Sequence, residues 1–190
     1  MGRSLDEIRE LYDNQHHKLM ESWAISKICY DAISDLIPIN GTILELGSGI
    51  GTELLNLRYN MISIEEDKNF INKHPSTYIH APLRRLDKNK SSQIGEAHSW
   101  YDWEIIDREL NGENPKTYDL ILIDGPAHAG GRGGLYENLH LFDTTKPIVF
   151  DDIDREDDRI VLELIVKKLD GDLQILSDKQ TAIILPKKNK

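Results

Sequence analysis

Residues 43–55 read ILELGSGIGTELL. A short apolar strand runs here into glycines at alternate positions, Gly47, Gly49 and Gly51, with a carboxylate at Glu45 just behind them. A helical pattern resumes at once, from Thr52 to Leu57. Glycines between a strand and a helix let backbone approach a ligand closely, most often a nucleotide. A tight turn with no ligand is the other reading of the same residues.

Outward from this turn the pattern alternates. Strands are expected at Thr42–Leu46, Met61–Ile64, Thr77–His80, within YDLILID at 118–124 and from Pro147. Between them fall helices at Lys68–Lys73, Leu135–Phe142 and RIVLELIVKKL at 159–169. The last apolar runs, Leu173–Leu176 and Thr181–Leu185, flank the polar turn Ser177–Gln180 and form a terminal hairpin. Alternating strands and helices predict an α/β fold, a Rossmann-like, mostly parallel sheet with helices on both faces. The hairpin makes its last strand antiparallel.

Upstream, Ser4 and Glu7 have the spacing of a capping box. Apolar residues from Ile8 to Leu36 then describe one or two amphipathic helices ending before Pro38. The chain thus divides into a helical segment, 1–40, serving as lid or packing, and a main domain, 41–190. These amphipathic helices could also pair two copies into a homodimer. Residues 84–117 form a polar insertion too long for an ordinary connection. Its Trp100 and Tyr101 could stack on a substrate or anchor the insertion to the body.

Composition narrows the class. With 190 residues, 39% of them hydrophobic, the chain is long enough for one well-cored domain. A net charge of −10 repels phosphate backbones, so no nucleic-acid partner is expected. No apolar run approaches the roughly 20 residues that span a bilayer, so no membrane partner is expected either. The charged first residues do not read as a secretory signal, and the single Cys29 suits a reducing cytoplasm.

Which ligand the turn takes follows from its flanks. A dinucleotide fingerprint needs G-x-G-x-x-G, whereas Thr52 stands where the third glycine would fall. A phosphate loop needs Gly-Lys-Ser/Thr, which is missing. Glu45 would repel a pyrophosphate and suits a ligand with a cationic end. Glu65, closing the next strand in SIEED, is spaced to accept the two hydroxyls of a ribose.

Taken together, the turn, the acid before it and the acid after the second strand resemble the class I S-adenosylmethionine-dependent methyltransferases. The resemblance covers about residues 40–186 and implies seven strands. It makes Glu45, Gly47, Ser48, Gly49, Gly51, Glu65 and Asp124 the cofactor-binding set.

Asp124 ends the fourth strand, and Asp151 and Asp152 end the fifth. Neighbouring strand ends bring these acids together, and gathered like charges must be protonated, paired or bound to a cation. Here the likeness is to cation-dependent O-methyltransferases, which implies Mg²⁺ or another divalent ion on Asp124, Asp151 and Asp152. The fifth strand carries Asp-Asp where that group commonly has Asp-Asn, and its lysine base is missing. His128 could serve as base in its place, with Asp124 and Asp151 as further catalytic candidates. Arg132 could anchor an acidic substrate or form an ordinary salt bridge.

The expected activity is methyl transfer from S-adenosylmethionine to a small-molecule acceptor, a hydroxyl by preference. An NAD-type oxidoreductase and a non-catalytic nucleotide-binding domain are the alternatives.

Overall fold

The computed structural model describes Ser4, Asp6, Glu7, Glu10 and residues 25–86, 99–126 and 131–187. Its strands are β1 (Thr42–Leu46), β2 (Asn60–Glu65), β3 (Thr77–His80), β4 (Leu83–Arg85), β5 (Ser99–Tyr101), β6 (Leu120–Ile123), β7 (Ile148–Phe150), β8 (Asp172–Ile175) and β9 (Ala182–Leu185). Helices are α1 (Lys27–Leu36), α2 (Ile50–Asn56), α3 (Trp103–Asn111), α4 (Gly133–Glu137) and α5 (Glu156–Leu169).

Seven strands form one sheet in the order β3-β2-β1-β6-β7-β9-β8. β3, β2, β1, β6 and β7 run parallel, while β9 lies antiparallel to both β7 and β8. Strand order therefore reverses at β1, the strand that feeds the glycine turn.

Side chains on a strand alternate between faces, and here both faces are apolar. Ile43, Met61, Leu120, Leu122, Val149 and Ile183 pack with Cys29, Tyr30 and Ile33 of α1 and Leu54 and Leu55 of α2. Leu44, Leu46, Ile62, Ile64, Ile121, Ile123, Phe150 and Ile184 face the other way. They meet Ile106 of α3, Leu135 of α4 and Val161, Leu162 and Ile165 of α5. The parallel sheet is thus covered on both sides.

Ser4 and Glu7 form the expected capping box, each backbone N–H bonding the other's side chain at 2.7 and 3.3 Å. Most of the amphipathic stretch from Ile8 to Trp23, including His16 and His17, lies outside the described residues. α1 starts at Ser26, whose hydroxyl accepts the Cys29 N–H at 3.0 Å. The same hydroxyl donates to Asp178 at 2.7 Å, tying the helix to the turn between β8 and β9.

Three elements differ from the sequence reading. Lys68–Lys73 is two successive turns, not a helix. Asp67 accepts both the backbone and side-chain N–H of Asn69 at 2.8 Å, and Asn72 takes φ 60°, which no helix continues. Leu135–Phe142 splits into α4 and a 3₁₀ turn at Leu139–Leu141. There the Asn138 side chain competes for the Gly134 carbonyl at 2.9 Å.

The insertion, finally, is partly regular. β4 pairs antiparallel with β5, and α3 follows, capped by Asp102 on the N–H groups of Glu104 and Ile105.

Candidate functional site

The carboxyl ends of β2, β1 and β6 meet at the glycine turn. Gly47 N–H bonds the Ile64 carbonyl at 2.9 Å, and Asp124 N–H bonds that of Leu46 at 3.0 Å. Gly47 has φ 87°, and a Cβ there would stand 2.9 Å from the Gly125 backbone. Only glycine fits both the left-handed conformation and that approach.

Behind the turn, Glu45 is 1% exposed. It accepts hydroxyl protons from Thr52 and Ser63, each at 2.8 Å. Thr52 Oγ1 in turn accepts the Gly49 N–H at 2.9 Å. Glu45 therefore supports the turn through Thr52. Burial pushes its carboxyl up to about 8, although the two hydroxyl donors and the neighbouring acids also act on it.

Glu65, at the end of β2, is also buried. It accepts N–H bonds from Ser48 and Asp67, both at 2.8 Å. Burial raises it to about 7, against the lowering effect of those two bonds. Ser48 also shares a 2.8 Å bond with the Tyr78 hydroxyl. The expected cofactor set thus lies together around one bend, with Asp124 on its far side.

The strand ends that carry the acids meet at a guanidinium. Arg132, with its side chain 1% exposed, donates to the main-chain carbonyls of Asp124, at 2.7 Å, and Asp151. It also pairs with the Asp152 carboxylate at 3.2 Å and lies 3.8 Å from Asp158. Arg155 closes the other side, 2.9 Å from Asp152 and 3.8 Å from Asp158. Asp152 reaches this position with φ 59°, a strained backbone for a non-glycine residue.

Asp151 points away, toward Thr181 Oγ1 at 3.4 Å. Burial and the charges of Asp124 and Asp152 lift its carboxyl to about 7. Burial likewise raises Asp124 to about 6, with Arg132 opposing and Asp152 adding to the rise. Among the described residues no group of three or more His, Cys, Asp or Glu is placed to hold a metal ion. Of the carboxyls expected to ligate one, Asp152 is paired with Arg132, Asp124 lies 3.9 Å from it and Asp151 turns to Thr181, so this donor set does not fit a divalent ion. Arg132 takes the salt-bridge role of its two expected alternatives.

Trp100 and Tyr101 are fully buried. Trp100 packs edge-on to Tyr101 and Phe142 and fills the space beside Gly134. The Tyr101 hydroxyl lies against Gly125, buried and without a hydrogen-bond partner among the described residues. Both rings anchor the insertion at the site's floor rather than offering an open stacking face. His128 lies outside the described residues.

Sequence reasoning passed over Thr52, Ser63, Arg155 and Asp158. The last two had a legible signal, opposite charges three residues apart at a helix start.

The strand order, with its reversal at the glycine turn, gives the chain the fold of the class I methyltransferases. Solved structures with this fold resemble the chain across nearly its whole length. A TehB-like SAM-dependent methyltransferase from Corynebacterium glutamicum superposes at TM-score 0.50, with 14% identity over 96% of this chain and 97% of that one. The MycE methyltransferase of the mycinamycin biosynthetic pathway, in complex with Mg and SAH, gives 0.53, with 16% identity. It covers 98% of this chain and 49% of its own, so the present chain spans about half its length. A methyltransferase-like protein from Silicibacter pomeroyi matches at 0.50, 15% identity, over 87% and 89% of the two chains. No family model and no curated protein matches the sequence.

Proposed function

We propose that this protein is an S-adenosylmethionine-dependent methyltransferase acting on the hydroxyl of a small-molecule acceptor. The observation that carries the reading is the bend formed by Gly47, Ser48 and Gly49, faced by the buried carboxyl of Glu65. A glycine bend held open at left-handed φ, with a carboxyl at the ribose position, fits an adenosyl ligand. The complexes of MycE with SAH agree with this.

When bound, the cofactor supplies a methyl carbon on a cationic sulfur. The residues do the rest. Glu65 accepts the ribose hydroxyls, and the backbone of Gly47 and Gly49 borders the methionine portion. Glu45 holds the bend in shape through Thr52. Asp124, raised to about 6 and with its side chain 24% exposed, is the group suited to take the acceptor's proton near neutral pH. The bound cofactor would supply that methyl group to the acceptor oxygen, with the carbon–sulfur electron pair leaving on sulfur. The hydroxyl proton passes to Asp124. Alignment in a water-poor site supplies the remaining acceleration.

Calorimetry with S-adenosylhomocysteine tests the cofactor assignment. Saturable binding is expected, weakened roughly tenfold or more in Glu65→Ala, a loss of about 1.4 kcal/mol or greater. Preferential binding of NAD would overturn it. Incubation with methyl-labelled donor and fractionated metabolites then identifies the acceptor, and label recovered in a methyl ether is the expected product.

A further inference from the structure

We propose that Arg132 occupies, as a fixed guanidinium, the place at the strand ends where a divalent cation would sit, so that this cluster of acids holds no metal ion. This rests on the methyltransferase reading above. Four carboxylic side chains, Asp124, Asp151, Asp152 and Asp158, surround the ends of β6 and β7 and the start of α5. A divalent ion would have to draw six or more oxygens onto one point. Here Asp152 is paired with Arg132 and Arg155, Asp158 lies 3.8 Å from both, Asp151 meets Thr181, and Asp124 stands 3.9 Å from Arg132, so the carboxyl oxygens do not converge on one point.

A guanidinium carries five N–H donors in one plane. Nη1 reaches the Asp151 carbonyl, and Nη2 reaches the Asp124 carbonyl and the Asp152 carboxylate. Nε faces Asp158 at 3.8 Å. Arg132 therefore joins the carboxyl ends of two adjacent strands through their main chain, which a side-chain-ligated metal does not do. Arg155 holds the outer side of Asp152 and Asp158. Asp151, the one acid turned away from Arg132, meets Thr181. An ion entering this cluster would displace a buried cation or lie against it, and like charges at such range repel strongly.

The test uses the full chain saturated with S-adenosylhomocysteine and titrated with Mn²⁺, the free ion being read by electron paramagnetic resonance. The expected result is no saturable Mn²⁺ site at sub-millimolar concentration, with S-adenosylhomocysteine affinity unchanged by EDTA. A stoichiometric Mn²⁺ site in the wild type that disappears in Asp152→Ala, Asp124→Ala or Asp151→Ala overturns the proposal. A site that persists in Asp152→Ala, Asp124→Ala and Asp151→Ala alike lies elsewhere and leaves the cluster metal-free, as proposed.

Arg132→Met removes the internal cation and should gain Mn²⁺ affinity by roughly tenfold or more over the wild type. A folded Arg132→Met that gains none overturns the proposal. If that variant does not fold, the titrations of the wild type and the alanine variants decide. Failure of S-adenosylhomocysteine to bind would instead sink the methyltransferase reading, and the Mn²⁺ result would still stand on its own.

Discussion

Thr52 carries more of the site than its size suggests. Its one hydroxyl bonds Glu45 and Gly49 at once, linking the buried acid to the bend. Thr52→Val keeps the shape and removes both bonds; Glu45 keeps Ser63, while the Gly49 N–H is left unpaired, at a cost of about 1–3 kcal/mol. Urea unfolding should report a loss in that range, with Thr52→Ser restoring most of it. An unchanged midpoint would show that the linkage adds nothing. Gly47→Ala is expected to do worse, because φ 87° and the 2.9 Å approach to Gly125 both oppose a Cβ. Glycines, acids and their order are visible in one dimension, and so Glu45, Gly47 and Glu65 were legible. That Arg132 would be the cation among the acids was not, since the charge pattern allowed either a metal or a salt bridge.

At the level of elements, Asp178 fastens α1 to the end of the sheet. It accepts bonds from Ser26, Gln180 and both the N–H and hydroxyl of Thr181. Burial alone would raise its carboxyl, but these bonds outweigh it and hold the group below the usual range. A lowered acid stabilises above its unfolded-state value and loses that contribution as pH falls through its folded value. Asp178→Ala should therefore cost about 1–2 kcal/mol at neutral pH, with the difference from wild type shrinking toward pH 3. Denaturant melts at pH 7 and pH 3 measure it, and an equal difference at both would refute the assignment. Another close packing joins α4 to β5, where a Cβ on Gly134 would fall inside Trp100. The buried parallel strands were readable from their apolar runs, as was α5. α3 was missed because a polar helix start beside three aromatic residues reads as loop, and the Lys68–Lys73 helix failed because Asp67 and Asn72 impose local turns.

Over the whole molecule the buried acids set a common pH response. Glu45, Asp151, Glu65 and Asp124 stand at about 8, 7, 7 and 6, all above their ordinary values, with burial the leading cause in each. An acid raised in the folded state favours folding while it holds its proton. That contribution is complete below the unfolded value and is lost as pH rises through the folded one. Stability should therefore fall from about pH 4.5 to pH 8. The net charge of −10 pushes the same way as deprotonation adds repulsion. Urea midpoints across this range give the slope, and a rising profile would contradict it. Glu45→Gln should flatten the upper part and raise the melting temperature by a few degrees at pH 8.5.

The dry position of Glu45 also makes it a built-in probe. A buried protonated carboxyl held by two hydroxyls absorbs in the infrared apart from the crowded amide bands. Difference spectra taken as a ligand settles on the bend would register the altered strength of its hydroxyl contacts. The protein can thus announce occupancy without a dye, an isotope or a coupled assay.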